Sequence, residues 1–396
     1  MSLPSSKKPN QLLTSILWLF FKPYLKYKYN FSYDNSVIKS LKGPAIILGN
    51  HASVLDVFLM GVSAYPLSLN YVAGYGWFNY FGLGLILRQL KAIPKFQYQI
   101  DIISIKEMIN VIKDNQVLGL FPTGRLASAG VGLPVDENVA KLLKRLDAPV
   151  YFFRIDGAYL TIPKWAKHHR KGRIEGKYHL LFDQVNLRKN SINEISKTIN
   201  LYLSYDDYSW NNSKRIKYKG KKLAENLEQI LFICPACELE GNLKSHGQVL
   251  ECKCGLRLTI DEFGEFENNK YFLNPRDWNN YQKTELIRKY KSKTLSLLSE
   301  VEVFFSKPGK KGTKYYGSGY ITLVDDRLVF KDKDLGKNNS LNILLSTFPS
   351  LPFKAGSNFE VSDKEVVYKF ILKAGYQAAK WSLAVEAMAE VLKDEK

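Results

Sequence analysis

LGNHASVLDVF, residues 48–58, sets His51 and Asp56 in an otherwise apolar run with four residues between them. The chain has only five histidines, and this one follows the strand-like AIILGN (45–50) and opens a helix-like stretch. In one continuous helix, residues five apart lie about 140° round the cylinder and cannot meet. The pair can touch only if His51 stands in the turn before the helix and Asp56 lies inside it. Gly49 and Asn50 suit such a turn, because both tolerate unusual backbone angles. A carboxylate against one imidazole nitrogen fixes the tautomer and makes the other nitrogen a better base for a hydroxyl proton. Taken alone, the spacing is better read as a helix-start histidine beside an unrelated aspartate, since short matches carry many false positives.

The surrounding chain repeats the same alternation. AIILGN, LNYVAGY (69–75), VLGLFP (117–122), APVYFFRIDG (148–157) and KYHLLFDQV (177–185) predict strands. Residues 102–115 and 138–146 predict helices, and the uncharged stretch 57–87 reads as helix, strand, helix. Short apolar runs alternating with helices argue for an α/β domain on a largely buried sheet, expected over residues 1–205. Lys214, Arg215, Lys217, Lys219, Lys221 and Lys222 then form a basic run, expected to be a linker over 206–229. A cysteine-bearing module is expected over 230–265 and a helical linker over 266–298. The last part, 299–396, shows short alternating runs (VEVFFS, SGYITLVD, RLVFKD, NFEVSD, EVVYKFIL) closed by an amphipathic helix near 376–392. It resembles, loosely, a pleckstrin-homology-type barrel with its capping helix. SKPGKKGTKYYG (306–317) within it reads as a solvated hairpin tip or as a binder of anionic lipid heads.

Charge bounds the partners. Across 396 residues, 57 Lys and Arg face 38 Asp and Glu, a formal +19 that draws either nucleic acid or acidic lipid. Aromatic residues make up 13%, a usage that suits an interface with one wet side. No helix-turn-helix or RNA-recognition motif occurs, and aromatics are not interleaved with the basic runs. An anionic phospholipid membrane is therefore favoured over nucleic acid. LLTSILWLFF (12–21) is too short to span a bilayer, which takes about 20 residues. Lys7, Lys8, Lys22, Lys26 and Lys28 flank it, and no acid precedes Asp34. It reads equally as a helix lying in the head-group plane and as a helix packed on the core. No secretory signal is visible, so a reducing cytoplasm and the cytoplasmic face of its membrane are expected.

A second motif changes the reading of the first. Phe121-Pro122-Thr123-Gly124-Arg125 again ends a strand, and His51 and Pro122 are 71 positions apart. NHASVLD (50–56) with this block makes the chain resemble the glycerolipid acyltransferase family, of lysophosphatidate acyltransferase type. That family pairs NH-x4-D with a strand-terminal Phe-Pro-Glu-Gly block at a similar interval. Pro149-Val150 in the next strand also fits, and the resemblance covers roughly residues 10–205. Within the family it comes closest to the acyltransferase half of bacterial 2-acylglycerophosphoethanolamine acyltransferases, whose block runs FPEGR. Arg154-Ile155-Asp156-Gly157-Ala158 fits that variant as well. Two departures stand out: Thr123 replaces the family glutamate, and the intervening arginine motif is represented at best by Lys95 in AIPKFQYQ (92–99), with Arg88 nearby.

The resemblance implies acyl transfer at a membrane surface, a peripheral enzyme of phospholipid biosynthesis. His51 would deprotonate the acceptor hydroxyl and Asp56 would orient and stabilise the imidazolium. Asn50, Phe121, Pro122, Thr123, Gly124, Arg125 and Lys95 would contact substrate. Arg125 would hold a phosphate by paired hydrogen bonds, and backbone N–H groups around Gly124 would approach closely. The donor would be acyl-CoA or acyl-ACP, and the acceptor a lysophospholipid or glycerol phosphate. With no adenylating half, the chain is expected to receive an already activated acyl group.

The four cysteines, Cys234, Cys237, Cys252 and Cys254, form C-x2-C and C-x-C pairs fourteen residues apart. That spacing suits a closed, structural, tetrahedral Zn2+ site of zinc-ribbon type; a rubredoxin-like iron or a reduced cluster without metal is the alternative. His246 between the pairs is expected to face solvent. Such a ribbon raises the rival function, a catalytically weak or inactive adaptor binding nucleic acid or protein through the ribbon and the basic surface.

Overall fold

The computed structural model describes residues 8–79, 82–96, 101–268, 270–307, 312–334, 340–364 and 366–394. Lys7, residues 97–99 of AIPKFQYQ and residues 308–311 of the basic hairpin lie outside them. The chain forms two units, Met1–Pro163 with His169–Lys219 and Lys164–His168 with Gly220–Lys396.

In chain order the first unit contains α1 (Gln11–Tyr29), β1 (Phe31–Asp34), β2 (Ala45–Gly49), α2 (Asp56–Ala64), β3 (Leu69–Gly74), α3 (Leu83–Gln89), β4 (Ile93–Lys95) and α4 (Ile102–Lys113). It continues with β5 (Val117–Leu120), α5 (Glu137–Leu146), β6 (Val150–Asp156), α6 (Ala158–Thr161), β7 (Ile174–Phe182), α7 (Gln184–Lys189), α8 (Ile192–Leu203) and α9 (Asp207–Lys214). The strands form one sheet in the order β1-β7-β6-β2-β5-β3-β4, parallel throughout except between β6 and β7. β2 is central and every one of its residues is buried, because an uninterrupted apolar strand is stable only with both faces covered. Its side chains alternate between two cores: Ala45 and Ile47 pack with Leu59, Met60 and Phe153 on one face, Ile46 and Leu48 with Leu118 and Phe152 on the other.

The N-terminal helix runs past the apolar stretch that announces it and ends only at Tyr29. Asn10 caps it, its Oδ1 accepting the Leu13 N–H at 3.1 Å. Trp18 and Leu25 turn inwards, while Leu12, Ile16, Leu19 and Phe20 stand uncovered at helical spacing. The inward face is fitted to Gly61 of α2, where a Cβ would stand inside the indole of Trp18.

The first unit does not end near Tyr205. Asp206 caps α9, its Oδ1 accepting the Tyr208 and Ser209 N–H groups at 3.0 and 3.1 Å. Lys171 and Lys219 exchange backbone hydrogen bonds at 2.9 Å each way. Half of the expected basic linker is therefore part of the α/β unit.

In the second unit, β8 (Leu243–His246), β9 (Val249–Cys252) and β10 (Arg257–Thr259) form a small antiparallel sheet, followed by α10 (Pro275–Lys291). Then come β11 (Leu298–Ser306), β12 (Lys314–Val324), β13 (Arg327–Asp332), β14 (Ser340–Leu344), β15 (Phe353–Lys354), β16 (Asn358–Asp363), β17 (Val366–Leu372) and α11 (Gln377–Asp394). These strands build an antiparallel sheet in the order β14-β13-β12-β11-β17-β16-β15, and α11 packs on it through Trp381, whose ring lies against Phe359 of β16. The cysteine module, the helical linker and the β-rich part expected here pack on one another. Glu240 beside the cysteines accepts Lys289 of α10 at 3.3 Å and Lys380 of α11 at 2.5 Å, and Trp165, Leu250 and Trp278 share one core.

Gly61→Ala is expected to lower the denaturant midpoint, with overpacking of about 1–3 kcal/mol outweighing the gain in helix propensity. The double variant with Trp18→Leu should recover most of the loss, measured by chemical unfolding.

Candidate active site

The site begins where β2 ends. Asn50 is fully buried, and its side chain is spent on β6: Oδ1 accepts the Ile155 N–H at 2.8 Å and Nδ2 donates to the Ile155 carbonyl at 2.7 Å. That placement makes Asn50 a clamp between neighbouring strands. The chain then leaves the sheet through a short loop and enters α2 at Asp56. His51 thus stands before the helix and Asp56 in its first turn, the one arrangement in which the two can meet.

They do meet. His51 Nδ1 lies 2.8 Å from Asp56 Oδ2, and the Ser53 N–H donates to the same oxygen, also at 2.8 Å. Because an ionised carboxylate only accepts, Nδ1–H is the donor and Nε2 carries the lone pair. Asp56 is fully buried, and its pKa is raised: burial outweighs the hydrogen bond and charge of His51 and the Ser53 and Ala52 N–H groups, which act the other way. The His51 side chain keeps 19% of its surface exposed, enough for a reactant to reach the ring.

Phe121 comes from the neighbouring strand, β5, and stacks on the imidazole with centroids 4.5 Å apart and planes at 24°. This contact needs a glycine at the end of β2, since a Cβ on Gly49 would stand 2.7 Å from Met60 Cε and 2.9 Å from Phe121 Cε1. The following turn is internally bonded. The Gly124 N–H donates to the Phe121 carbonyl at 3.1 Å, so that N–H is engaged in the turn rather than free to approach a reactant. Thr123 Oγ1 donates to the Arg125 carbonyl at 3.0 Å, and Arg125, largely buried, reaches Ser128 Oγ at 3.5 Å. Pro122 lies within the same turn. Beyond it, the Ala127 N–H donates to the His51 carbonyl at 3.0 Å, and Tyr159 Oη donates to the Ser128 carbonyl at 2.9 Å. The two sequence motifs are thereby joined by a ring stack and a backbone bond.

Lys95 is not brought beside them. It ends β4, three strand spacings from β2, or about 14 Å across the sheet. Burial lowers its pKa, and its Nζ donates to the Phe96 carbonyl at 3.4 Å. Arg154 is tied to Asp156 at 2.8 Å and to the Tyr202 carbonyl at 3.2 Å.

Sequence reading missed Ser53, Tyr159 and Asp207. Asp207 is buried, and its carboxylate accepts the N–H groups of Gly157, Tyr159 and Leu160 at 3.0, 2.8 and 3.4 Å. The Asp206-Asp207 pair before YSW (208–210) was a readable cap signal; the tie of Asp207 to the segment after β6 was not.

The four cysteines form a separate cluster in the second unit. Their sulfurs lie within 4.8 Å of one another and form no disulfide. Cys234 and Cys254 Sγ atoms are 3.7 Å apart, Cys237 and Cys252 3.9 Å. Zn–S bonds of about 2.3 Å at tetrahedral angles place sulfurs about 3.8 Å apart, so the set fits that ion. The backbone before Cys234 is held by α10: Gln282 Oε1 accepts the Phe232 and Ile233 N–H groups at 2.5 and 2.9 Å, and Trp278 Nε1 donates to the Ile233 carbonyl at 2.8 Å. His246 is exposed, 3.8 Å from Glu251.

Gly49→Ala is expected to push Phe121 off His51 and to destabilise the unit by about 1–3 kcal/mol. Loss of the ring-current shift on the His51 proton resonances, alongside the unfolding midpoint, checks it.

Comparison with known proteins gives one family match and a few similar chains. Residues 29–156 match the family model described as Acyltransferase. The 1-acyl-sn-glycerol-3-phosphate acyltransferase of Bacillus subtilis (strain 168) is 30% identical over 130 residues, which are 33% of this chain and 62% of that protein. The chain therefore spans less than two thirds of the curated relative it matches. Among solved structures it is similar to the 1-acyl-sn-glycerophosphate (LPA) acyltransferase PlsC from Thermotoga maritima, with 18% identity, a TM-score of 0.43, and coverage of 51% of this chain and 79% of that one. It is also similar to the Ran binding domain of the nuclear complex component Nup2 from Ashbya gossypii, with 15% identity, a TM-score of 0.21, and coverage of 24% and 94%. Neither structural likeness is close enough to carry weight. The family match covers residues 29–156, the segment that holds both His51 and the Phe121–Arg125 turn.

Proposed function

We propose that the first unit transfers a fatty acyl group from a thioester, acyl-CoA or acyl-ACP, to the hydroxyl of a lysophospholipid or glycerol-phosphate acceptor. The observation that carries this reading is the 2.8 Å bond between His51 Nδ1 and a fully buried Asp56, inside a segment that matches the acyltransferase model. His51 Nε2 takes the hydroxyl proton as the acceptor oxygen bonds to the thioester carbonyl carbon. The tetrahedral intermediate then expels the thiolate, the C–S bond breaking, and the imidazolium returns its proton to the departing sulfur. Asp56 stabilises the imidazolium and holds the tautomer. Phe121 covers one face of the ring and so fixes where Nε2 points. A thioester is already activated, and no acyl-enzyme is required. Arg125, held by Ser128 at the strand end, is suited to an acceptor phosphate. Thr123 binds its own turn, so no carboxylate meets the acceptor there.

The membrane part of the reading rests on α1. Leu12, Ile16, Leu19 and Phe20 form an uncovered apolar face, and Lys22, Lys26 and Lys28 lie on the same helix. Such a helix settles into the head-group region of an anionic leaflet, which supports peripheral action at the cytoplasmic face of the cell membrane. Among the described residues no helix is long and apolar enough to cross a membrane. In the second unit, the sulfur spacing supports one structural Zn2+ held by Cys234, Cys237, Cys252 and Cys254. Bound there it would cross-link the two knuckles and leave no open coordination position.

Thioester consumption with a panel of lysolipids is expected from wild-type protein and to fall about 10²–10⁴-fold in His51→Ala; equal turnover by both would overturn the mechanism. Elemental analysis is expected to find one zinc per chain, and Cys252→Ser or a strong chelator to release it and lower the unfolding midpoint. A zinc-free chain that melts at the same temperature would end that assignment.

A further inference from the structure

Asp56 Oδ2 is doubly bonded, to His51 and Ser53, but its Oδ1, equally buried, has no hydrogen-bond partner. The hydroxyl of Tyr205 is buried and unpartnered as well. Buried polar atoms are nearly always hydrogen-bonded, so two orphans in one core call for a common explanation. Tyr205 packs in the same core as Ala52 and Leu55, which lie between His51 and Asp56 in sequence. It is also fixed to the loop that leads back to His51: its carbonyl accepts the Gly132 N–H at 2.8 Å, and the Asp207 N–H donates to the Gly130 carbonyl at 3.0 Å.

The groups that influence the phenol are Asp207, Asp56, Tyr159 and Arg154. Three of them are committed elsewhere. Asp207 accepts three backbone N–H groups, Tyr159 Oη donates to Ser128, and Arg154 is held by Asp156 and Tyr202 while its guanidinium lies 5.8 Å from the Tyr205 ring centroid. Burial, then the charges of Asp207 and Asp56, hold the phenol's pKa well above its ordinary value. The hydroxyl therefore stays a donor, and among these groups Asp56 Oδ1 is the buried acceptor atom that carries no hydrogen bond.

Resting on the acyl-transfer reading, we propose that Tyr205 is a positioning residue for the His51–Asp56 pair: its hydroxyl serves Asp56 Oδ1 through one buried water. Buried waters typically make about three hydrogen bonds to groups otherwise unsatisfied. With both oxygens held, the carboxylate cannot rotate, and Oδ2 stays on His51 Nδ1 through the proton transfers at Nε2. Tyr205 touches no reactant.

Tyr205→Phe keeps the ring and removes only the hydroxyl. The far-downfield proton of the His51 Nδ1–H···Oδ2 bond, assigned by its loss in Asp56→Asn, is expected to shift or to broaden in the Phe variant. The turnover number should fall about three- to tenfold, at unchanged KM. An unmoved resonance overturns the proposal, and so does a moved resonance with unchanged turnover. If wild-type protein shows the resonance and its response to Tyr205→Phe but transfers no acyl group, the functional reading fails while the pairing stands. Should the Phe variant not fold, 3-fluorotyrosine at position 205 acidifies the phenol at nearly constant size and must move the same resonance.

Discussion

A carboxylate taken wholly out of water is costly unless its charge is met by fixed donors, and Asp56 is such a carboxylate. The first unit supplies those donors from one short piece of chain: the Ser53 N–H, the His51 imidazole and the start of α2, whose dipole favours negative charge there. That piece can deliver them only if it leaves the sheet at a defined place and angle. Asn50, bonded twice to Ile155, sets the place. Ala127, bonded to the His51 carbonyl, sets the other side. The central position of β2 follows from the same requirement, since a strand buried on both faces gives its terminal loop a rigid base.

How much of this the sequence disclosed depends on how local each signal was. The long apolar runs marked β2, β3, β5, β6 and β7, and the helix–strand–helix reading of 57–87 corresponds to α2, β3 and α3. The short edge strands β1 and β4 left no such mark, because four or three residues carry no periodicity. The polar helices α7 and α9 gave little more. At the site, the condition for His51 and Asp56 to meet could be stated from spacing alone, because it concerns six consecutive residues. The stack of Phe121 on His51 could not, since it depends on β2 and β5 being neighbours and on Gly49 leaving room. The same distance across the sheet removes Lys95 from the pair's vicinity.

In the second unit the sequence suggested a cysteine module and a β-rich domain joined by a helical linker, and the structure gathers all three into one compact unit. Alternation and cysteine spacing are read along the chain, whereas the ties that merge the modules run between distant positions. Glu240 reaches both Lys289 and Lys380, and Trp381 Nε1 donates to Ser299 Oγ at 2.9 Å.

The grip of Gln282 and Trp278 on the two residues before Cys234 has a thermodynamic side. Flexible knuckles must surrender backbone freedom at the moment an ion arrives, and that loss is subtracted from affinity. Here the segment leading to the first sulfur is already immobilised by a helix that contributes no sulfur. For the proposed Zn2+, part of the ordering cost would therefore fall on folding rather than on capture, and shortening either side chain would weaken its retention from a position well outside the coordination sphere.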